Sequence, residues 1–479
     1  MQQRGSRRPG ARAGNVRVRI GRRRAQETVV HRRPVRRPRQ PSVVLLLGGF
    51  AGLIITGTVL LALPIASRDG HSAGFLTALF TSTSAVCVTG LVVVDTWDHW
   101  STFGQVVIAL LIQLGGLGFM TSSTLLLLVL RRRVSLAQRL VTAETLGVVG
   151  SRDIRHFVRR IVIATLLIEA AGAVVLTLLF AANDGGLSGR QIWRGTFTAI
   201  SAFNNAGFDL EGGFHSLTLF SGNAPILGSV AALMVLGGTG FAVWTDIARH
   251  RRWRPLAVDT KIVIALSLAL WGLGAGVLLF DELQPGGALE GASTLTAGVD
   301  ATALSVFART SGFSPVDLTE VRDEMLFFLS GLMFIGGASA STAGGIKLTT
   351  FAILGFAIIA SLRGEAHVTA FERELPWRLV NRALSVALLA VGLVFAAAFT
   401  LALTSEQPFT VMFFEAVSAF SNTGLSAGVT TTLDTAGRLL IILVMYVGRL
   451  GPLTVALALA GRDQLGGRFR YAEEQVSIG

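Results

Sequence analysis

One short pattern recurs four times in this chain, and that recurrence limits the possible fold more than any other feature. It is a small polar run that ends in glycine and a bulky apolar residue: SAVCVTGL at 84–91, SAFNNAGF at 201–208, SVFARTSGF at 305–313 and SAFSNTGL at 418–425. The glycines, Gly90, Gly207, Gly312 and Gly424, are spaced 117, 105 and 112 residues apart. A motif at a near-constant period is internal repetition. Each copy also stands between two long apolar stretches, so the repeating unit reads as helix, short re-entrant segment, helix.

Hydropathy places full membrane crossings at roughly 43–63, 103–130, 158–182, 219–247, 260–281, 325–361, 377–404 and 435–461. Shorter helical stretches at about 73–86, 191–203, 294–307 and 408–420 run into the glycine motifs. Each is too short to cross a hydrocarbon layer of roughly 30 Å. With 51% hydrophobic and only 15% charged residues, such a chain is polytopic in the membrane, not a soluble domain. The expected fold is all-α: four repeats of transmembrane helix, pore helix with filter loop, and transmembrane helix, set pseudo-fourfold around a central pore. The repeats would occupy 41–135, 136–250, 251–362 and 363–479.

The formal charge of +13 suggests a nucleic-acid binder until it is located. Residues 1–40 carry 14 Arg against Glu27 alone, so the whole excess sits in one tail and the remainder is neutral. That tail is rich in Arg, Pro and Gly and poor in large apolar groups, which predicts a disordered cytoplasmic segment near anionic lipid. It lacks the apolar core of a signal peptide. The loops between repeats and the C-terminal end hold 20 basic residues, and the loops flanking the motifs hold five. This asymmetry puts both termini in the cytoplasm and the motif mouths outside. The outer loops carry Asp95, Asp98, Asp184, Asp209, Glu211, Asp281, Glu282, Asp317, Glu320, Glu406 and Asp434. They are either an acidic vestibule that concentrates cations or ordinary solvated loop charge. Cys87 is the only cysteine, which excludes an intrachain disulfide and a Cys-based metal site.

Irregular backbone survives at membrane depth only where it is packed in protein or lines water. Four short segments meeting on one axis satisfy that condition if their carbonyls replace the hydration shell of a cation, as in potassium channels. The candidate filter residues are Val88, Thr89 and Gly90; Asn205, Ala206 and Gly207; Thr310, Ser311 and Gly312; and Asn422, Thr423 and Gly424. Glycine permits the backbone angles that such a filter needs. Asn204, Asn205, Thr310, Asn422 and Thr423 can brace it from behind. Arg309, inside the third motif, would repel cations if it faced the axis, so its guanidinium is expected behind the filter. Carbonyls, Glu169 or Glu415 are its candidate partners. Glycine clusters follow each motif, at 115–118, 237–240, 336–337 and 448–451, and read as close helix packing through small residues. The 336–345 stretch, GGASASTAGG, is too small and flexible for a stable helix, which predicts a broken helix with an irregular loop below the filter.

These motifs resemble the Trk/Ktr/HKT superfamily of potassium uptake proteins, in particular the bacterial KtrB-type (TrkH-like) translocating subunit. The resemblance covers about 40–479 and rests on the four filter motifs, on ASASTAGGIK at 338–347, on Gly448 and Arg449, and on YAEEQVSIG at 471–479. It implies potassium selectivity, because glycine stands at all four filter positions where serine in the first goes with sodium transport. It implies an intramembrane gate formed by Gly336, Gly337, Ser339, Ser341, Thr342, Gly344, Gly345 and Lys347. It also implies that Arg449 faces the cavity as an electrostatic barrier; a structural salt bridge is the other reading for that residue. Lys347 could gate the pore, or anchor the loop through carbonyls or an acidic partner. The resemblance further implies a homodimer in the bacterial inner membrane, served by a separate KtrA/TrkA-like cytoplasmic subunit that binds the nucleotide. No cofactor beyond the transported potassium ion is expected in this chain. A sodium- or proton-coupled symporter is the alternative within transport. Ser339 superficially suggests an intramembrane protease, but no histidine lies in any expected span to act as its base.

Overall fold

The computed structural model describes residues 41–131 and 151–451, apart from Leu283, Pro285, Gly286, Ala288, Thr310 and Ala340. The basic tail 1–40, Thr310 and the 471–479 ending therefore lie outside the described residues.

Long apolar runs form long helices, and the expected short stretches form short ones. In chain order the helices are α1 (Pro41–Leu61), α2 (Phe75–Cys87), α3 (Thr96–His99), α4 (Thr102–Arg131), α5 (Ser151–Asp184), α6 (Gly189–Asn204), α7 (Ala224–Thr239) and α8 (Phe241–His250). They continue with α9 (Val258–Glu282), α10 (Thr294–Phe307), α11 (Asp323–Phe334), α12 (Leu348–Leu362), α13 (Trp377–Thr404), α14 (Phe409–Ser421) and α15 (Thr435–Leu450). The four short stretches, now α2, α6, α10 and α14, begin and end within two residues of their expected limits. The all-α expectation has one small exception. Val368–Ala370 (β1) pairs antiparallel with Arg373–Leu375 (β2), and Phe371 and Glu372 turn between them at φ +48° and +64°. Both central residues at positive φ give the turn whose twist suits a tight hairpin.

Eight uniform crossings were expected, and the described residues are less regular. Val158–Asp184, Val258–Asp281 and Trp377–Thr404 are the helices long and apolar enough to cross a membrane. The expected crossing at 219–247 is a pair, α7 and α8, bent by 91°. Gly240, at φ +78° and ψ 151°, breaks the helix there, and α8 leaves as a polar-sided segment. The 325–361 stretch is broken as its composition predicted, into α11 and α12 with an irregular loop between. The long helices turn Val174, Leu178, Leu268, Leu273, Leu388, Phe395 and Leu403 outward, as a lipid-facing surface would.

Helix packing forms a circuit. The short helices α2, α6 and α14 each pack between their own flanking helices, and α10 packs on α9. Beyond that, α4 packs on α6, α7 on α10, α11 on α14, and α15 returns to α2. Three contacts between a short helix and the helix that follows it depend on glycine. A Cβ at Gly115 would collide with the Val86 carbonyl, one at Gly237 with the Phe203 carbonyl, and one at Gly448 with the Phe420 carbonyl. Each of those carbonyls lies four residues before a motif glycine. The glycine clusters after the motifs thus let one helix sit directly on the backbone of a short one.

Candidate functional site

The four motif glycines meet. A Cβ added to Gly90 would strike the Ala206 carbonyl oxygen; at Gly207 it would lie 2.5 Å from that of Ser311, and at Gly312 2.6 Å from that of Thr423. At Gly424 it would strike the Thr89 carbonyl, which closes the circuit. The carbonyls involved are those of Thr89, Ala206, Ser311 and Thr423, each immediately before a motif glycine. All four glycines have positive φ, from +71° to +96°, where a side chain is strained. The positions therefore need glycine both for the backbone angle and for space.

The capping chemistry of the short helices delivers the chain to that circuit. Val88, Asn205 and Asn422 sit at φ +59°, +61° and +51° as left-handed caps of α2, α6 and α14. The next amides reach back five residues: Thr89 to the Ser84 carbonyl at 2.8 Å, Ala206 to Ser201 at 2.7 Å and Thr423 to Ser418 at 3.0 Å. That is the Schellman closure of a helix C-terminus, for which Asn is suited and Val is not. Val88 carries strain on the order of 1–3 kcal/mol. The Gly90 amide donates to Ser84 Oγ at 3.1 Å and the Gly424 amide to Ser418 Oγ at 3.0 Å.

The third segment departs from this pattern. Its helix is capped by Ala308 in the right-handed region. Ser305 Oγ donates to the Trp271 carbonyl on α9, with Gly274 directly beneath it. Ser82 makes the same arrangement on α1, with the Ile54 carbonyl and Gly57. Ser305 is therefore the counterpart of Ser82, not of Ser84, Ser201 and Ser418 as the aligned motifs implied. The segment between that serine and the glycine is one residue shorter here than in the first motif.

Behind the circuit lie the braces. Asn204 Nδ2 donates to Glu169 Oε1 at 2.9 Å and to Gln113 Oε1 at 3.0 Å, and Gln113 Nε2 donates to Glu169 Oε2 at 3.0 Å. Asn422 Nδ2 donates to Thr89 Oγ1 and to the Met445 carbonyl, each at 3.0 Å. The Thr423 and Ser421 hydroxyls share a hydrogen bond of 2.6 Å. Arg309 takes a carbonyl among its expected partners: its Nη2 donates to Gly336 O at 2.9 Å. Neither suggested glutamate is its partner. Glu169 is held by Gln113 and Asn204, and Glu415 accepts from the Ser426 and Thr430 hydroxyls.

On one side of the circuit a cavity of about 380 Å³ is lined by all four glycines together with Asp95, Asp209 and Asp317. Three of the eleven acidic residues expected at a vestibule thus line it. Others are engaged elsewhere, Asp184 and Glu211 with Arg194, and Asp281 with Arg322 at 2.6 Å. Burial, then the neighbouring Glu211 and Asp95 carboxylates, push the Asp209 carboxyl up to about 7.

Against the C-terminal ends of α6 and α14 lies the 335–347 loop, buried over most of its length. Gly336 N bonds Ile346 O at 2.9 Å and Ile346 N bonds Phe334 O at 3.1 Å, which pinches its ends together. Ala338 N donates to Gly238 O at 3.1 Å, and Thr342 Oγ1 donates to Asn205 Oδ1 at 2.8 Å. A Cβ at Gly344 would collide with the Ser421 carbonyl, and one at Gly336 with the Gly344 carbonyl. Gly337 is buried, Gly345 has φ +64°, and the Ser341 hydroxyl donates to Ala338 O at 2.8 Å. Ser339 is exposed and pairs with Thr349 at 3.1 Å, away from the buried cluster. Lys347 Nζ donates to the Ala343 carbonyl, the anchoring role considered for it. Arg449, 2% exposed, donates from Nη1 to the Thr342 carbonyl. The Asn205–Thr342 bond had no sequence signal, because the two residues lie 137 positions apart.

Residues 53–464 match the TrkH family, described as a cation transport protein. The chain belongs to that family. It is 37% identical over 442 residues to the Ktr system potassium uptake protein B of Bacillus subtilis, covering 92% of this chain and 97% of that one. It is 38% identical to the Ktr system potassium uptake protein B of Vibrio alginolyticus over 447 residues, covering 92% and 95%. It is 36% identical to the potassium/sodium uptake protein NtpJ of Enterococcus hirae over 449 residues, covering 92% and 98%. Among solved structures, the crystal structure of the potassium transporter TrkH from Vibrio parahaemolyticus superposes with a TM-score of 0.70 at 17% identity, covering 89% of this chain and 86% of that one. This TrkH-family chain therefore has the membrane-transporter fold expected of it.

Proposed function

We propose that this chain is the ion-conducting subunit of a Ktr-type potassium uptake system, channel-like in action and gated by its intramembrane loop. The observation that carries the proposal is the closed glycine circuit. Four motif segments approach until each glycine faces the carbonyl that precedes the next one. Such a ring can replace a cation's hydration shell with backbone oxygens, and the three carboxylates lining the cavity beside it would concentrate cations. On this reading each repeat supplies one transmembrane helix, one pore helix with its filter loop and a second transmembrane helix, within the four limits drawn from the sequence. The filter residues are those of the four motifs, Thr310 included.

Potassium is favoured by the four glycines and by the two Ktr relatives named for its uptake. The name of the Enterococcus hirae relative includes sodium as well, and it motivates the second reading, a sodium- or proton-coupled cation symporter. The 335–347 loop is the gate because it lies across the inner ends of two filter segments. Arg449 holds it there and places a cation below the filter, where it opposes conduction. The name "Ktr system" supports a regulatory partner, and we assign the nucleotide to that cytoplasmic subunit, with no cofactor in this chain. Homodimeric assembly in the bacterial inner membrane with both termini cytoplasmic completes the proposal.

The test is growth of a potassium-uptake-deficient bacterium on low-potassium medium with this chain, alone and with a Ktr regulatory subunit, followed by flux in liposomes. Growth and rubidium flux that proceed without any co-transported ion support a channel. Flux that stops strictly without sodium or a proton gradient would replace it with the symporter.

A further inference from the structure

Two side chains of the motif segments hold the loop directly. Asn205, the left-handed cap two residues before Gly207, accepts the Thr342 hydroxyl at 2.8 Å. Arg309, three residues before Gly312, donates to the Gly336 carbonyl at 2.9 Å. The first bond grips the middle of the loop and the second grips its start. They act on different segments of the glycine circuit, the second and the third.

Both bonds are costly to lose in place. Arg309 is 6% exposed, and its guanidinium stands 5.6 Å from the Trp271 ring. Its Nε and Nη1 have no hydrogen-bond partner among the described residues, so the Gly336 carbonyl carries the polar support of a buried cation. A buried charge stripped of its acceptor is strongly disfavoured. If the loop withdraws, Arg309 must follow it, and Arg309 shares a short irregular segment with Ser311 and Gly312. Asn205 is 4% exposed, and a buried amide oxygen left without its donor loses stability in the same way.

We propose that the loop and the glycine circuit are one coupled unit, in which Arg309 and Thr342 are positioning residues that make ion selectivity depend on where the loop sits. With the loop seated, the second and third segments are clamped and their carbonyls fixed. With the loop displaced, the two bonds draw Asn205 and Arg309 after it, so the conducting circuit keeps its geometry only while both bonds hold. Neither side chain has to touch the permeating ion. The inference rests on the filter-and-gate reading above.

Full-length protein in liposomes, under a potassium/sodium bi-ionic gradient, gives the permeability ratio from the reversal potential. Thr342→Val removes the hydroxyl while keeping the branched shape and the carbonyl that Arg449 uses. It should lower the ratio about threefold to tenfold, the scale of one buried hydrogen bond. Arg309→Met should lower it at least as far, and Arg309→Lys should fall between it and the native protein. Variants that elute as folded protein, conduct, and keep the native ratio overturn the coupling. If Arg309→Met does not fold, Thr342→Val and Arg309→Lys decide the matter by the same criterion. Gly90→Ser separates the two levels: a shifted ratio there with none in the loop variants sinks the coupling alone, and no shift there sinks the filter assignment.

Discussion

At Gly90 the backbone angle of +96° and the Ala206 carbonyl leave no room for a side chain. A serine Cβ would have to push that carbonyl away, and the ring it belongs to would widen. Gly90→Ser should therefore admit sodium, lowering the potassium/sodium permeability ratio by about tenfold, or roughly 1.4 kcal/mol of discrimination. Reversal potentials in liposomes check this, and an unchanged ratio would count heavily against the proposed filter. Asp209 gives a second expectation at the same scale. Its carboxyl is pushed up to about 7, so it is ionised above that pH and neutral below it. With this cavity facing outward as proposed, its attraction for cations should weaken as external pH falls from 8 to 6, the window around about 7 set by that carboxyl. Asp209→Asn should flatten the dependence at the low-pH level. An Asp209→Asn protein whose uptake still follows pH as the native protein does would assign that dependence to another group.

The helix α7 shows how much one element owes to small residues, and two of its glycines make opposite predictions. A methyl at Gly237 would collide with the Phe203 carbonyl, whereas Gly228 has nothing within 4 Å. Gly237→Ala should cost about 1–3 kcal/mol through overpacking and lower thermal stability and flux together. Gly228→Ala should gain about 0.5–1 kcal/mol, because alanine suits a helix interior better. Thermal unfolding followed by size exclusion in detergent reads both. The short helices were legible in the sequence because their length, polarity and terminal glycines are local signals. The broken α11–α12 stretch was legible for the same reason, since ten small residues cannot hold a helix. The bend at Gly240 was not, because glycine in an apolar run reads equally as packing, and Gly237 and Gly240 do one job each. The hairpin at 368–375 escaped because three-residue strands carry no periodicity. Ser305 was misaligned because only its contact with Trp271, 34 residues away, reveals its register. The choice of Gly336 over a glutamate for Arg309 was likewise a fact of tertiary packing.

Across the whole molecule, two circuits coincide: the motif glycines close head to tail, and each helix that follows a motif packs on the short helix of the next, with α15 returning to α2. A ring built this way has no free edge, so no single helix can tilt to open it without disturbing its neighbours. The 335–347 loop escapes this constraint. It joins α11 to α12 outside that circuit and is tied to its surroundings by groups from elsewhere: the Gly238 carbonyl, Asn205, Arg309 and Arg449. On the proposed gating reading, displacing the loop costs less than moving a helix, and the strength of those tethers sets how often the loop is out. Removing a charge-assisted tether shifts such an equilibrium by about 1.5–3 kcal/mol, or roughly tenfold to a hundredfold. Arg449→Ala should therefore raise partner-free rubidium flux by about that factor, limited by the open pore. Deletion of 338–345 should raise it to the ceiling and permit growth on low potassium without the regulatory subunit. A folded deletion variant with native or lost flux would move the gate away from this loop and leave the ring to open by some concerted motion of the helices themselves.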